Sequence, residues 1–447
     1  MQKPKRRKRG GQHRRTPDSP AKRLDNALRA HREGRFSVAK ELYHQVLETS
    51  PRHVDALHYL GVLMHSMGKA DESIRLIQRA LFLDPNYIAA RINCGNVLKE
   101  SKRYAEAEQQ FRKALALDPR NGDASNNLGV VLKAQHRIEP AIRAFEQATK
   151  HSPENADAYQ NLGNALKKAG RVEEALTAFR RAVELDPHQS DAHLNLGRAL
   201  YRFGRVDEAS IVYEKWLQID PDNSIASHML AACRGEGVPD RCSDDFVRRS
   251  FDAFADSFDE VLGRLDYRAP ELVARAVDVA LPEPSARWHV LDAGCGTGLC
   301  GARLRPHAAE LIGIDLSAKM LAQASKPGTY DLLEEVELTQ YMLANAGEFD
   351  LIIATDTFVY FGDLTDVFLA AYGALNGDGV FVFTVEENHE GQTYRLQPHG
   401  RYCHSRSLIE ESLVRSGFRL QSLEHEVLRM EAEQPVDGLV VTARRDD

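Results

Sequence analysis

The chain has 447 residues, of which 43% are hydrophobic. That is enough for two or three packed domains, and no apolar run approaches the ~18 residues that cross a bilayer. Six cysteines (94, 233, 242, 295, 300 and 403) are scattered without a Cys-x-x-Cys pair or a nearby histidine pattern, which argues against a disulfide framework and against a zinc site. The net charge of −7 hides an asymmetry: residues 1–23 carry ten Lys/Arg against Asp18 alone, a balance of +9, and the rest of the chain carries −16.

The basic stretch 1–19 has almost no apolar side chains to bury, so it is expected to be a disordered tail, either a plain solvated extension or a contact for a polyanion. It lacks the apolar segment of a secretory signal, and a reduced, cytoplasmic setting without membrane or metal is expected.

From residue 20 to 223 the same marks return every 34 residues. Gly61, Gly95, Gly129, Gly163 and Gly197 head the columns, followed by Ser73, Ala107, Ala141, Ala175 and Ala209. Then come Ile77, Phe111, Phe145, Phe179 and Tyr213, and finally Pro85, Pro119, Pro153, Pro187 and Pro221. Ala39, Tyr43 and Pro51 mark an earlier copy. Small residues permit close helix approach, the aromatic fills the gap, and the proline stops a helix. The pattern is similar to that of the tetratricopeptide repeats, and it predicts six helix pairs.

Asn93, Asn127, Asn161 and Asn195 recur two residues before the glycine. A carboxamide offers both donor and acceptor, so such a column can hold an extended backbone whatever its side chains, or it can brace neighbouring turns. It resembles the asparagine ladder of the O-linked N-acetylglucosamine transferase repeats, which implies a protein or peptide along the groove. Lys99, Lys133 and Lys167 repeat too and favour acidic ligands.

Residues 224–243 are expected to form a capping helix and a linker containing Arg234-Gly-Glu-Gly-Val-Pro-Asp240. In 244–265, Val247, Phe251, Phe254, Phe258 and Leu262 stand at helical spacing, suited to core packing and to a lid alike. A second helix is expected from Pro270 to Ala280.

The densest chemistry lies at 289–299. An apolar strand ends at Asp292 and breaks into Gly294, Gly296 and Gly298, with helical spacing after it. Glycines there allow positive φ and bare backbone against a ligand. The spacing is tighter than the Gly-x-Gly-x-x-Gly of a dinucleotide pyrophosphate site, and Asp292 would repel a pyrophosphate; an NAD-dependent oxidoreductase is disfavoured. A second strand, Leu311–Asp315, ends in an acid suited to ribose hydroxyls.

The pair resembles motifs I and II of the class I S-adenosylmethionine-dependent methyltransferases, covering roughly 245–445. The resemblance implies S-adenosylmethionine as cofactor, held by Asp292, Ala293, Gly294, Cys295, Gly296, Gly298, Asp315, Leu316, Met320 and Asp356, with Glu337, at the end of a third strand 330–338, meeting the adenine amino group. The Phe-Asp-x-Phe-Ala run with Tyr267, and Gly400-Arg-Tyr-Cys-His-Ser405, are similar to those of repeat-bearing methyltransferases. They imply Tyr267 and Arg401 as substrate contacts and His404 or Tyr360 as catalytic groups, against plainer readings as strut and core. Asp356-Thr-Phe-Val-Tyr360 departs from the Asn/Asp-Pro-Pro-Tyr of amine and base N-methyltransferases, so methylation of a nucleobase or an amide nitrogen is disfavoured.

The expected architecture is α + α/β. An N-terminal all-α tetratricopeptide superhelix precedes a C-terminal Rossmann-like class I methyltransferase domain at 244–447, with a seven-stranded sheet and a closing antiparallel hairpin. The expected function is methyl transfer with the repeats recruiting a substrate or partner; the alternative is an interaction scaffold with a vestigial cofactor site.

Overall fold

In the computed structural model, residues 19–281, 286–391, 393–431 and 434–446 are described. All of the expected basic tail except Ser19 lies outside them. Ser19 accepts from the Lys22 amide and caps the first helix.

Helices then follow in pairs of 13 and 14 residues: Pro20–Arg32 with Phe36–Thr49, Val54–Ser66 with Ala70–Leu83, Ile88–Glu100 with Tyr104–Leu117, Gly122–Ala134 with Ile138–His151, and Ala156–Lys168 with Val172–Leu185. From the second pair on, the recurring glycine of the first helix is there for contact. A Cβ on Gly95, Gly129 or Gly163 would stand 2.7, 2.5 or 2.7 Å from the ring of Phe111, Phe145 or Phe179. Between paired helices the chain turns through positive φ at Gly34, Gly68, Lys102, His136, Gly170 and Gly204, a column that does not demand glycine everywhere. The next pair, Ser190–Arg202 and Val206–Ile219, is followed by a single helix, Ser224–Arg234, ending on left-handed Gly235.

The chain divides into two compact units, Met1–Ala192 and His193–Asp447. The division falls inside the helix Ser190–Arg202, so most of the sixth repeat belongs with the residues that follow it.

In the second unit a mixed sheet is built from β1 (Trp288–Ala293), β2 (Ala308–Asp315), β3 (Leu332–Glu335), β4 (Phe349–Ala354), β5 (Leu375–Glu387), β6 (Tyr394–Leu396), β7 (Tyr402–His404), β8 (Phe418–Glu431) and β9 (Gln434–Arg445). Strands β3, β2, β1, β4 and β5 are parallel neighbours, β9 pairs antiparallel with β5, and β8 pairs antiparallel with β9. These seven match the expected sheet with its closing hairpin. Two short strands were not expected: β6 and β7 form a ribbon whose Cys403 and His404 pair with Glu386 and Glu387, past the end of β4.

Alternation along the strands splits the core between the two faces. Val290, Leu311, Leu351 and Val380 face one layer with Val273 and Val277 of the helix Ala269–Ala280. Leu291, Ile312, Ile352 and Phe381 face the other, with Phe368 of Thr365–Ala374 and Leu413 of Arg406–Arg415. Both faces are covered, as parallel sheets require.

Three expectations are corrected in detail. The single helix expected over 244–265 is broken into Asp244–Asp252, a 3-10 turn Ala255–Ser257 and Phe258–Gly263. Helix after the glycine turn is confined to Gly301–Leu304. The third strand stops at Glu335, because Glu337 turns its carboxylate back onto the Gln340 amide and caps the helix Leu338–Ala344.

Candidate functional site

The carboxyl ends of β1 and β2 build the corner. The amides of Gly294 and Cys295 both donate to the Ile314 carbonyl at 2.9 Å, and Gly294, Gly296 and Gly298 have φ of +80°, +55° and +86°. Each glycine answers to something different. A Cβ on Gly294 would stand 2.5 Å from Thr357 Oγ1, and one on Gly298 would stand 3.0 Å from the Tyr330 ring. Nothing lies within 4 Å of the corresponding point on Gly296. Of the three, Gly296 alone opens onto free space.

Tyr330 and Thr357 went unnoticed in the sequence. The Tyr330 ring also fills the space beside Gly301 and Gly313, and its hydroxyl donates to Asp292 Oδ2 at 2.7 Å. Asp292 is only 1% exposed, and burial pushes its carboxyl up to about 7 against the pull of the Tyr330 hydroxyl. It acts from beneath the turn. Thr357 Oγ1 donates to the Ala293 carbonyl and braces the turn from β4's side. Ala293, Cys295 and Met320 are buried, while Leu316 is half-buried beside Asp315.

Asp315 clasps the corner. Its Oδ2 accepts from the Gly296 amide at 3.0 Å and its Oδ1 from the Ser317 amide at 2.8 Å. Burial raises its carboxyl, and these hydrogen bonds oppose the rise. A carboxylate has about four acceptor positions, so capacity remains for a ligand's hydroxyls.

The broken segment 244–263 is fastened to this corner by three aspartates. Asp252 accepts from Ser317 Oγ at 2.6 Å, Asp256 from Gln323 Nε2 at 3.0 Å, and Asp259 from Thr297 Oγ1 at 2.6 Å. The phenylalanines between them are half-buried rather than sealed in a core. Phe251 and Phe254 both meet Phe258, with ring centroids 6.0 and 5.4 Å away, and Phe251 lies 5.5 Å from Tyr360. Three side-chain hydrogen bonds and these ring contacts hold the segment against the corner and Tyr360.

Beyond β4 and β5 lies a charge network that sequence reasoning also missed. Asp356 holds φ of +53°, in the region that side chains other than glycine rarely adopt. Arg429, 4% exposed, donates to Asp356 Oδ2 at 2.8 Å, to Glu431 at 2.7 Å, and to Glu386. Arg401 donates to Glu386 at 2.7 Å and to Glu431 at 2.6 Å. Three carboxylates thus share two guanidiniums. Burial pushes the Asp356 carboxyl up, whereas Arg401 and Arg429 overcome burial and hold Glu386 down. A lone Arg429 inside Val427-Leu-Arg-Met430 was the available signal, since a buried arginine needs partners.

The expected substrate and catalytic residues divide accordingly. Arg401, expected to hold an acidic group, is engaged by two carboxylates of its own chain. His404, expected as a base, is fully buried; its Nε2 donates to the Gly362 carbonyl at 3.1 Å and burial holds the imidazole down to about 4. That is a strut's environment. Tyr360 is half-buried between Phe251 and the network, and burial raises its phenol. Tyr267 is half-buried, and its phenol is raised by burial and next by Asp356. Glu337, expected at an adenine, is 6% exposed and accepts from Arg241 at 2.8 Å. Among the described residues no three His, Cys, Asp or Glu side chains cluster as a metal site, and no helix is long and apolar enough to cross a membrane.

In the repeats the asparagines link successive first helices. Asn93 Nδ2 meets His58 Nε2 at 2.8 Å, Asn127 Oδ1 accepts from Lys99 at 2.9 Å, and Asn161 Nδ2 donates to Asn126 at 3.1 Å. All three are half-buried, as is Asn195.

Comparisons agree with this division. Tetratricopeptide-repeat profiles match residues 30–93, 131–187 and 161–224, a TPR-repeat profile matches 95–136, and a methyltransferase-domain profile matches 291–381. Methyltransferase-like protein 27 of Homo sapiens is 38% identical over 119 residues, 26% of this chain and 47% of its own length. Malonyl-[acyl-carrier protein] O-methyltransferase of Enterobacter lignolyticus is 30% identical over 164 residues, 34% of this chain and 65% of its own. The chain thus spans about half to two thirds of these relatives. Among solved structures, MamA is 25% identical with a TM-score of 0.35, covering 37% of this chain and 96% of its own. With tetratricopeptide-repeat profiles matched between residues 30 and 224 and a methyltransferase-domain profile seated on the glycine corner, the chain joins tetratricopeptide repeats to a methyltransferase domain.

Proposed function

We propose that the chain transfers a methyl group from S-adenosylmethionine to an acceptor recruited by the repeats. The observation that carries this is the opening at Gly296, where bare backbone at positive φ faces free space with Asp315 clasping the same amide. The cradle fits a nucleoside with ribose hydroxyls. Asp315 would receive those hydroxyls, the amides around Gly296 would line the ligand, and Phe251 and Phe258 would exclude water from above. A bound sulfonium supplies a methyl group on a good leaving group, so orientation can provide much of the acceleration.

The acceptor enters beside Tyr360 and the Asp356 network, at the carboxyl end of the sheet where ligands of such folds bind. Tyr360 and Tyr267 are the side chains proposed to touch it. His404 keeps the ribbon in place through Gly362. Glu337 orients Arg241 in the cofactor wall. The departure at Asp356–Tyr360 from the amine-methylating motif and the O-methyltransferase name of one relative both support an oxygen acceptor. The repeats hold a protein or peptide, the basic tail meets a polyanion, and the setting is cytoplasmic.

Mass spectrometry of a lysate given methyl-labelled cofactor tests this, comparing the native chain with Asp315→Ala. Asp315 is the better control than Gly294, whose substitution would collide with Thr357 and disturb the fold. Label on a defined product with the native chain alone is expected; identical labelling by both proteins would refute the proposal.

A further inference from the structure

Five of the six first helices of the repeats carry a His or Lys at the same place near their ends. The penultimate position is His31, His65, Lys99, Lys133 and Lys167, and passes to Tyr201 in the sixth repeat. A cation in the last turn offsets the negative end of the helix dipole, a role that leaves its ammonium in water. These lysines are instead half-buried. Lys99 reaches across to Asn127 on the next first helix, and Lys167 lies 5.6 Å from the centre of the Phe179 ring. Lys133 has no hydrogen-bond or ion-pair partner among the described residues, and Lys168 repels its charge. Burial holds both Lys99 and Lys133 below the usual lysine range. Glu100, beside Lys99, pairs with His65 at 2.8 Å. An ammonium such as that of Lys133, drawn partly out of water with no carboxylate beside it among the described residues, is ready for an incoming one.

We propose that this column binds an acidic polypeptide segment carrying a carboxylate at about every third residue. The spacing follows from geometry. Packed helices stand ~8–10 Å apart, and an extended chain advances ~3.3 Å per residue, so one repeat answers to about three residues. Asn127 and Asn161 stand on the same first helices, and their carboxamides can pair with both the N–H and the C=O of the backbone between carboxylates. A nucleic-acid backbone carries phosphate acceptors and, in RNA, one ribose hydroxyl per nucleotide, and it lacks the paired N–H and C=O that a carboxamide matches. This rests on the reading of the repeats as a polypeptide-binding array.

The test is fluorescence anisotropy on the full chain with a labelled peptide of repeated Glu-Ser-Gly triplets. Its comparators are the Gln-Ser-Gly peptide, a peptide of equal composition with the glutamates contiguous, and an oligouridylate of equal charge. The triplet peptide should bind tightest. Lys133→Gln should weaken it roughly tenfold or more. Lys133→Glu should weaken it further, and placing Lys at the central Glu of the peptide should restore binding to that variant, which a merely structural role would not produce. Equal binding of the Gln peptide, or an unchanged Lys133→Gln, overturns the charge reading and leaves the repeats as a charge-indifferent polypeptide array. Equal binding of the contiguous peptide overturns the spacing. Tighter binding of the oligouridylate that Lys133→Gln weakens overturns the polypeptide, since binding by the basic tail does not respond to that change, and no binding of any peptide overturns both this proposal and the array reading on which it rests.

Discussion

The repeats and the methyltransferase domain use glycine for the same two purposes, close approach and left-handed backbone, but over different stretches of chain. In the repeats Gly95, Gly129 and Gly163 meet Phe111, Phe145 and Phe179, always one helix later. In the domain Gly298 meets Tyr330 and Gly294 meets Thr357, across whole strands and helices. Left-handed residues differ as well. Lys102 and His136 take φ of +58° and +60° in exposed turns, while Asp356 at +53° stands at the site and is gripped by Arg429. Strain in a turn is incidental; strain held by a buried ion pair aims a side chain.

The largest effect should come from breaking that grip. Arg429→Met leaves Asp356, Glu386 and Glu431 short of a buried guanidinium, which costs about 3–5 kcal/mol. Calorimetry should show the unfolding transition of the second unit falling while that of the first stays in place.

Next come the glycines. Gly129→Ala should cost ~1–3 kcal/mol by overpacking, and Phe145→Leu in the same chain should return much of it. Gly298→Ala should resist such rescue by Tyr330→Leu, because φ of +86° remains hostile to a side chain once the ring is gone. Urea denaturation of the four variants decides the matter; equal rescue in both regions would erase the distinction.

Tyr330→Phe removes the hydroxyl that favours charged Asp292 and should cost about 1–3 kcal/mol where Asp292 is ionised. The sign follows from linkage. Asp292 rises from 3.8 to about 7 on folding, so the folded state holds its proton more tightly. Its stabilising contribution is therefore full below about pH 4 and is lost as pH rises towards 7. The variant's deficit should be larger at about pH 8 than at about pH 5; the reverse order would exclude the assigned pair.

The smallest expected effect is a gain. Lys102→Gly relieves an L residue in the left-handed region and should stabilise the first unit by ~0.5–1 kcal/mol. Thermal melting would show it, and a loss would mean that the Lys102 side chain contributes more than its backbone strain.

These contrasts explain what could be read ahead of the structure. Repeat helices, their packing glycines and the succession of strands along the chain up to β5 were legible because their signals recur at a fixed period or run apolar over a few residues. Asp315 stood out because an acid at a strand's end carries its own chemistry, and the structure sets it against the Gly296 and Ser317 amides. Tyr330 and Arg429 were not, since a tyrosine reads as core until the three glycines around it are seen together, and the carboxylates around Arg429 come from three separate segments. His404 lies in the unexpected ribbon and Arg401 just before it, and burial and their own partners give both a structural setting that the sequence does not announce.

Isothermal titration of the full chain and of Asp315→Ala with S-adenosylhomocysteine and with NAD tests the central claim most directly. Asp315 makes hydrogen bonds to the corner and is proposed to make more to the ligand. The native chain should bind S-adenosylhomocysteine and not NAD. Asp315→Ala should bind it roughly tenfold to a hundredfold more weakly, the equivalent of ~1–3 kcal/mol. Unchanged affinity in the variant, or preference for NAD in the native chain, would contradict the account.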